Sequence, residues 1–267
     1  STLFPYTTLF RSDSVNKSDQ ETQYKGTFDG ANHTVSGLYY MNETQSYVGF
    51  MGAAGYQGKI QNLSVVNSFF QGKQYVGGLA GIMSNATVTN CYIDVHLKGT
   101  NYVGGVVGQQ NMGTVNRCHT EGMTWGIGNG NCIGGVTGYL NGGTISSCYA
   151  TGIVVSLSPK IGGIIGGASG GTIKNCYCTT IPAIAKSCSG TTISNCYHKG
   201  EGNYGTYVSD AQFASGEVAY RLGQGDSAWG QNIDNGEKNQ GIPVLFGAPV
   251  YLVKDCDGET DIYSNTN

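Results

Sequence analysis

Between residues 48 and 200 this chain carries only two carboxylates, Asp94 and Glu121. Each stands three residues beyond a cysteine, Cys91 and Cys118. If those cysteines hold equivalent places in adjacent strands, the two acids face outward about 5 Å apart. That is close to the spacing of a retaining glycosidase, in which one carboxylate attacks and the other exchanges the proton. His119 falls beside them. Against this reading, no arginine joins the pair as a clamp, and no acidic cluster is present nearby to hold a cation. Two surface acids on neighbouring strands need no catalytic explanation. The sequence is therefore read as having no catalytic residue, with Asp94 and Glu121 as the alternative of a polysaccharide-active glycosidase or lyase. No Ser-His-Asp set, HExxH motif or phosphate loop supports another chemistry.

The residue after each of Cys91, Cys118, Cys148, Cys176 and Cys196 is aromatic. Tyr92, His119, Tyr149, Tyr177 and Tyr197 form one series, headed by Ser64. Flat rings in an outward column suit the stacking of sugar rings, and equally suit stacking on one another. These five are the candidate binding residues, for a glycan or a protein. A second series, Tyr47, Tyr75 and Tyr102, precedes the valines of a glycine-rich motif. Cys176, Cys178 and Cys188 come nearest to a metal set, but they lack Cys-x₂-Cys spacing and the repeat accounts for two of them. Asp255, Asp257, Glu259 and Asp261 lack the distal glutamate of a calcium loop. No metal and no cofactor is expected.

What must position these residues is a repeat. Val/Ile-Gly-Gly-apolar-x-Gly occurs at 76–81, 103–108, 133–138 and 161–166, with a variant at 48–52 in which Phe50 replaces the second glycine. A second block, Gly-Thr-Ile-x-Asn-Cys-Tyr, brings Leu63, Cys91, Cys118, Cys148, Cys176 and Cys196 to one slot, with Leu38 as its upstream match. From valine to slot is 15 residues in every complete repeat, so length varies only after the cysteine. A solenoid behaves this way, because its coils hold register and one loop absorbs insertions.

Isoleucine and cysteine in the second block are three apart, and both slots are apolar. A straight strand would send them to opposite faces, so a corner lies between them. The residue before the slot is Gly37, Asn62, Asn90, Arg117, Ser147, Asn175 or Asn195. Glycine and asparagine accept the left-handed backbone such a corner needs, and stacked asparagines can bond along the axis. Arg117 and Ser147 depart from the pattern. The slot cysteines, with Cys178, are read as a ladder of buried free thiols.

Composition agrees. Glycine supplies 44 of 267 residues and charged residues 12 %, which disfavours helices and leaves too much apolar content for disorder. The basic and acidic residues number 3 and 5 over 1–47, 8 and 2 over 48–200, and 3 and 10 over 201–267. The lysines are scattered, so no nucleic-acid partner is indicated. No apolar run reaches the length that spans a bilayer, so no membrane insertion is expected. Ser209-Asp-Ala-Gln212 reads as a capping box opening a short helix.

The Val76-Gly-Gly-Leu-Ala-Gly81 run and its copies resemble the GLUG motif of bacterial surface proteins, including some IgA-peptidase-type proteins. Gly26-Thr-Phe-Asp-Gly30 with His33-Thr-Val35 resembles the coil that often precedes such repeats. Phe213-Ala-Ser-Gly-Glu217-Val-Ala-Tyr220, Trp229-Gly-Gln231, Pro243-Val-Leu245 and Val250-Tyr251 resemble the block that often follows them. The resemblance covers nearly all of 24–266 and implies a secreted or cell-surface bacterial location. Separately, Thr2–Ser12, TLFPYTTLFRS, resembles a sequencing adapter translated in one frame.

The expected fold is all-β: a right-handed parallel β-helix of about seven coils over 13–204. Residues 1–12 are an adapter artefact, and an α+β cap over 205–253 covers the open end of the solenoid. Residues 254–267 are expected to be the start of a truncated following segment. The expected function is a non-catalytic stalk or adhesin-like module that binds a glycan or surface protein.

Overall fold

The protein is described from a computed structural model, over residues 23–128, 132–157, 159–180, 183–233, 241–254 and 261–266. The proposed adapter segment and Cys256 lie outside these.

The repeats wind into a parallel β-solenoid with three sheets. The first runs from Thr27–Ser36 through Lys59–Gln71 and Thr87–Gly99 to the Thr-Ile-x and Tyr-x pairs of later repeats. The second holds Gln74–Gly77, Asn101–Gly104, Ile133–Gly134 and Ile161–Gly162, with Val48 bridged to Val76. The third runs from Met51–Ala54 to Ala185–Ser189. The slot positions have seven matching rungs on the first sheet, but all three sheets are present in only five turns. The expected seven coils are thus five complete ones flanked by partial ones. The physical reason is at the ends: among the described residues, the opening and closing rungs lack the Val-Gly-Gly stretch that makes the second sheet.

That stretch is a corner with no room for a side chain. A Cβ on Gly105 would lie 2.0 Å from the Gly135 carbonyl oxygen of the next coil, and one on Gly77 2.2 Å from that of Ala80. Glycine is required there by close backbone approach.

The second corner matches the sequence pattern. Asn62, Asn90, Arg117, Ser147, Asn175 and Asn195 all have positive φ, between 49° and 54°. The expected upstream match at Gly37 and Leu38 is out of register: Leu63 pairs with His33, so Asn32, at φ +61°, stands at the first corner, because the opening strand is irregular between Asp29 and His33. Tyr39, just after Leu38, pairs with Phe69. Asn90 Nδ2 donates to Asn62 Oδ1 at 3.2 Å, and Asn195 Nδ2 to Asn175 Oδ1 at 2.8 Å. Inside this corner sits the thiol ladder. Cys91, Cys118, Cys148, Cys176 and Cys196 are buried and free. Each donates its S–H to the carbonyl two residues before it, at 3.2–3.3 Å. Cysteine suits the slot because it is small, apolar and still a weak donor to the inward-turned carbonyl. Burial pushes the Cys148 and Cys178 thiols well above the usual range.

Within 205–253 only the first strand meets the open end of the solenoid, and the helices do not plug it. Two helices, Asp210–Ala214 and Glu217–Gly223, lie along the solenoid's flank and form a second core with Tyr149, Tyr177, Tyr197 and Trp229. The first carries the expected capping box between Ser209 and Gln212. The last coil is covered by Tyr204 and by the strand that opens the cap. Thr206–Tyr207 pairs with Tyr197–His198, and Tyr204 packs against the solenoid core. Residues 261–264, assigned from sequence to a following segment, pair antiparallel with Tyr251–Lys254. Asn265 Nδ2 donates to the carbonyls of Gln231 and Pro249 at 2.7 and 2.8 Å. This tail is part of the cap.

Candidate functional site

The aromatic series stands in register on adjacent rungs: Ser64 beside Tyr92, then His119, Tyr149, Tyr177 and Tyr197. All five rings point out of the solenoid, yet they meet different surroundings. Tyr149 stacks on Tyr177 at 5.0 Å, and Trp229 wedges against both at 5.5 Å. Phe213 covers Tyr177 from the cap helix at 5.4 Å. The Tyr177 hydroxyl donates to the Pro243 carbonyl. Tyr149, Tyr177 and Tyr197 are left 6, 0 and 6 % exposed. Apart from an edge of Tyr149 at the cleft described below, these three rings are core residues of the cap interface, because apolar helix faces have been laid over them.

Tyr92 and His119 escape the cap. His119 stacks on Tyr149 at 3.8 Å, and Tyr92 tilts against His119 at 5.1 Å. Each ring therefore spends a face on its neighbour. The rung before Tyr92 offers only Ser64, too small to cover a ring, so the ladder ends in an open tyrosine face. There the structure has a cleft of about 330 Å³. Tyr92, His119 and an edge of Tyr149 form one wall, Asn62, Asn90 and Arg117 the polar corner column, and Leu245 and Phe246 the facing lip.

Two features of this cleft follow from sequence departures. Arg117 and Ser147, the corners lacking glycine or asparagine, are the two that bind Asp226 of the cap. Arg117 Nε and Nη2 donate to the Asp226 carboxylate at 3.1 and 2.9 Å, and Ser147 Oγ donates to it at 2.6 Å. Burial alone would raise the Asp226 pKa, but these bonds and the Ala228 N–H outweigh it and hold the carboxyl below its usual value. The second feature is Phe246. It has φ of +61°, is 66 % exposed, and stands 5.9 Å from the Arg117 guanidinium. A bulky residue in left-handed backbone is strained, and the ring it presents is left open to solvent.

Asp94 and Glu121 lie on adjacent rungs, one step beyond the Ile93–Thr120 pair. Neither lines the cleft. Glu121 accepts a hydrogen bond from the Tyr92 hydroxyl, and His119 Nε2 lies 3.5 Å from it. His119 Nε2 also meets Thr151 Oγ1 at 3.0 Å. Burial lowers the His119 pKa to about 3 and keeps the ring neutral near pH 7. The exposed Glu121 carboxylate works in the opposite direction, but exposed charges are well screened and burial prevails. Tyr92 is raised by burial and by its bond to Glu121. Among the described residues no group of three or more His, Cys, Asp or Glu is placed to hold a metal ion.

Sequence reasoning identified Tyr92 and His119 but missed Asn62, Asn90, Arg117, Leu245 and Phe246 as cleft residues. The departure of Arg117 from its column was the available signal. Nothing in the sequence placed Phe246, 129 positions further on, opposite it.

No family model matches the chain, and no curated protein matches it. Among solved structures it superposes on a Bacteroides ovatus protein described as a "putative immunoglobulin A1 protease", with a TM-score of 0.63. The match has 18 % identity and covers 82 % of this chain and 76 % of that one. At this identity the likeness establishes the β-solenoid fold alone.

Proposed function

We propose that this protein is a non-catalytic module of a bacterial surface or secreted protein, and that it binds a saccharide at the Tyr92 cleft. The observation that carries this reading is the single uncovered ring face at the head of a ladder, facing a second exposed ring, Phe246. An apolar sugar face stacks on such rings, while planar side-chain donors such as Asn62 and Arg117 bond its hydroxyls. The site is one cleft, where the sequence pointed to an array. The Val-Gly-Gly repeats, similar to those of GLUG-motif surface proteins, support the location. No helix among the described residues is long and apolar enough to cross a membrane.

A glycan array followed by calorimetry on the hits tests this. Tyr92→Ala and Phe246→Ala are each expected to weaken binding at least about tenfold, the loss of roughly one stacked ring, with melting unchanged. Release of reducing ends from any polysaccharide, abolished by Glu121→Gln, would overturn the non-catalytic reading.

A further inference from the structure

The Tyr92 cleft is a groove sealed at one end. Its corner column steps from Asn32 through Asn62 and Asn90 to Arg117, on successive rungs. At about 4.8 Å per rung it runs about 14 Å along the solenoid axis, longer than one sugar ring. Beyond Arg117 the column is covered. Ser147 is 1 % exposed beneath Asp226, and a Cβ on Gly225 would lie 2.2 Å from Asn175 Oδ1. The ring column closes at the same height, where Trp229 lies against Tyr149 and Tyr177. At the other end Asn32 is exposed and Ser64 half-buried. A bound chain therefore leaves past Asn32 and cannot continue past Arg117.

The lining carries no unbalanced charge. Among the described residues, Arg117 is the only Lys, Arg, Asp or Glu that lines the cleft. Its Nε and Nη2 donate to Asp226, which leaves Nη1 as a donor but matches the charge. His119 is kept neutral by burial. Two more carboxylates stand one hydrogen bond behind the lining: Asn62 Nδ2 donates to Asp29 at 3.1 Å, and the Tyr92 hydroxyl donates to Glu121. An anionic sugar would give up water, find no unmatched cation and meet negative potential behind the wall. A cationic amino sugar would find no carboxylate in the lining. Uncharged hydroxyls suit the amides of Asn32 and Asn62, the Ser64 hydroxyl and Arg117 Nη1.

We infer that this groove takes the terminal units of an uncharged glycan chain, and that Asp226 sets the preference by balancing Arg117. The inference rests on the saccharide reading of the cleft. The end unit lies between Tyr92 and Phe246, and the rest of the chain passes over Ser64 toward Asn32.

The probes are immobilised tetrasaccharides of galactose, glucose, mannose, xylose and N-acetylglucosamine, each beside its uronate or sulfated counterpart, with the glucosamine tetramer alongside. The whole chain is expected to bind a neutral member at least about tenfold more tightly than its acidic partner. Soluble polysaccharide of the bound type is expected to compete in proportion to its chain ends and not its mass. Affinity for the neutral member should change less than about twofold between about 0.05 and 0.5 M salt. Asp226→Asn, checked for folding by circular dichroism, is expected to bring the acidic partner within about threefold of the neutral one. Arg117→Asn, the residue type of the neighbouring corners, added to Asp226→Asn, is expected to restore the rejection. Preference of the wild-type protein for an acidic or amino sugar, competition by mass, or steep salt dependence overturns the proposal and leaves the saccharide reading standing. So does a folded Asp226→Asn variant that still rejects the acid. Binding to no member of the set is the failure of the saccharide reading itself, and the proposal falls with it.

Discussion

Replacing Tyr177 by alanine separates the two environments an outward tyrosine can have. The ring has no exposed surface and is enclosed by Tyr149, Phe213 and Trp229, with its hydroxyl on the Pro243 carbonyl. A buried tyrosine hides about 150–250 Å², which at about 25 cal/mol/Å² gives roughly 4–6 kcal/mol as an upper estimate. Large-to-small changes at aromatic core sites cost about 3–5 kcal/mol. Tyr177→Ala should therefore destabilise cap docking by about 4 kcal/mol, and Tyr177→Phe by about 1 kcal/mol for the lost hydrogen bond. The cap's share of the second core comes from five buried side chains, Val208, Phe213, Val218, Leu222 and Trp229, so the loss falls on a small interface. Hydrogen exchange is the decisive assay. Amides of 210–223 should lose protection while those of the central coils keep theirs, and chemical denaturation should split into two transitions. Tyr92→Ala, at the open end of the same ladder, should cost less than about 1 kcal/mol. If Tyr177→Ala were no more costly than Tyr92→Ala, the cap would not lie on this column, and the single-cleft argument would fail with it.

Cys148→Asp should cost several kcal/mol, because an unpaired carboxylate would sit in a dry core; Cys148→Ser, which keeps a donor to the Ser146 carbonyl, should cost about 1 kcal/mol, and urea melts distinguish them. Gly105→Ala should prevent native folding or cost several kcal/mol, since the added carbon meets the Gly135 carbonyl oxygen at 2.0 Å; expression and circular dichroism report it. Asp226→Asn should lower stability by about 1–2 kcal/mol, discounted because the Arg117 side chain is partly exposed. Stability should fall with acid in two stages. His119 has a folded pKa of about 3 against 6.5 unfolded, so its contribution is full above pH 6.5 and is lost as pH falls toward 3. The folded pKa of Asp226 is also depressed, so its contribution is full above 3.8 and lost below it. His119→Gln should remove the first stage in a melting-temperature series from pH 7 to 4.

The solenoid was legible in the sequence because its cause is local and repeated. The 15-residue register, the glycine corner, the left-handed residue before each cysteine and the inward thiols each follow from backbone geometry acting on neighbours in the chain. The same reasoning assigned the tyrosines outward, and they are outward. Whether an outward ring meets water was another matter. Tyr149, Tyr177 and Tyr197 were indistinguishable from Tyr92 in sequence, and a helix pair from residues 210–223 buries them while leaving Tyr92 open. The cap lies along the flank because three outward tyrosines on adjacent rungs already offer an apolar face to Val218, Leu222 and Trp229, and because Arg117 and Ser147 hold Asp226 beside them. Periodicity fixes the direction of a side chain from its own backbone. What stands beyond that side chain depends on packing between segments far apart in the chain, and only the tertiary structure decided it.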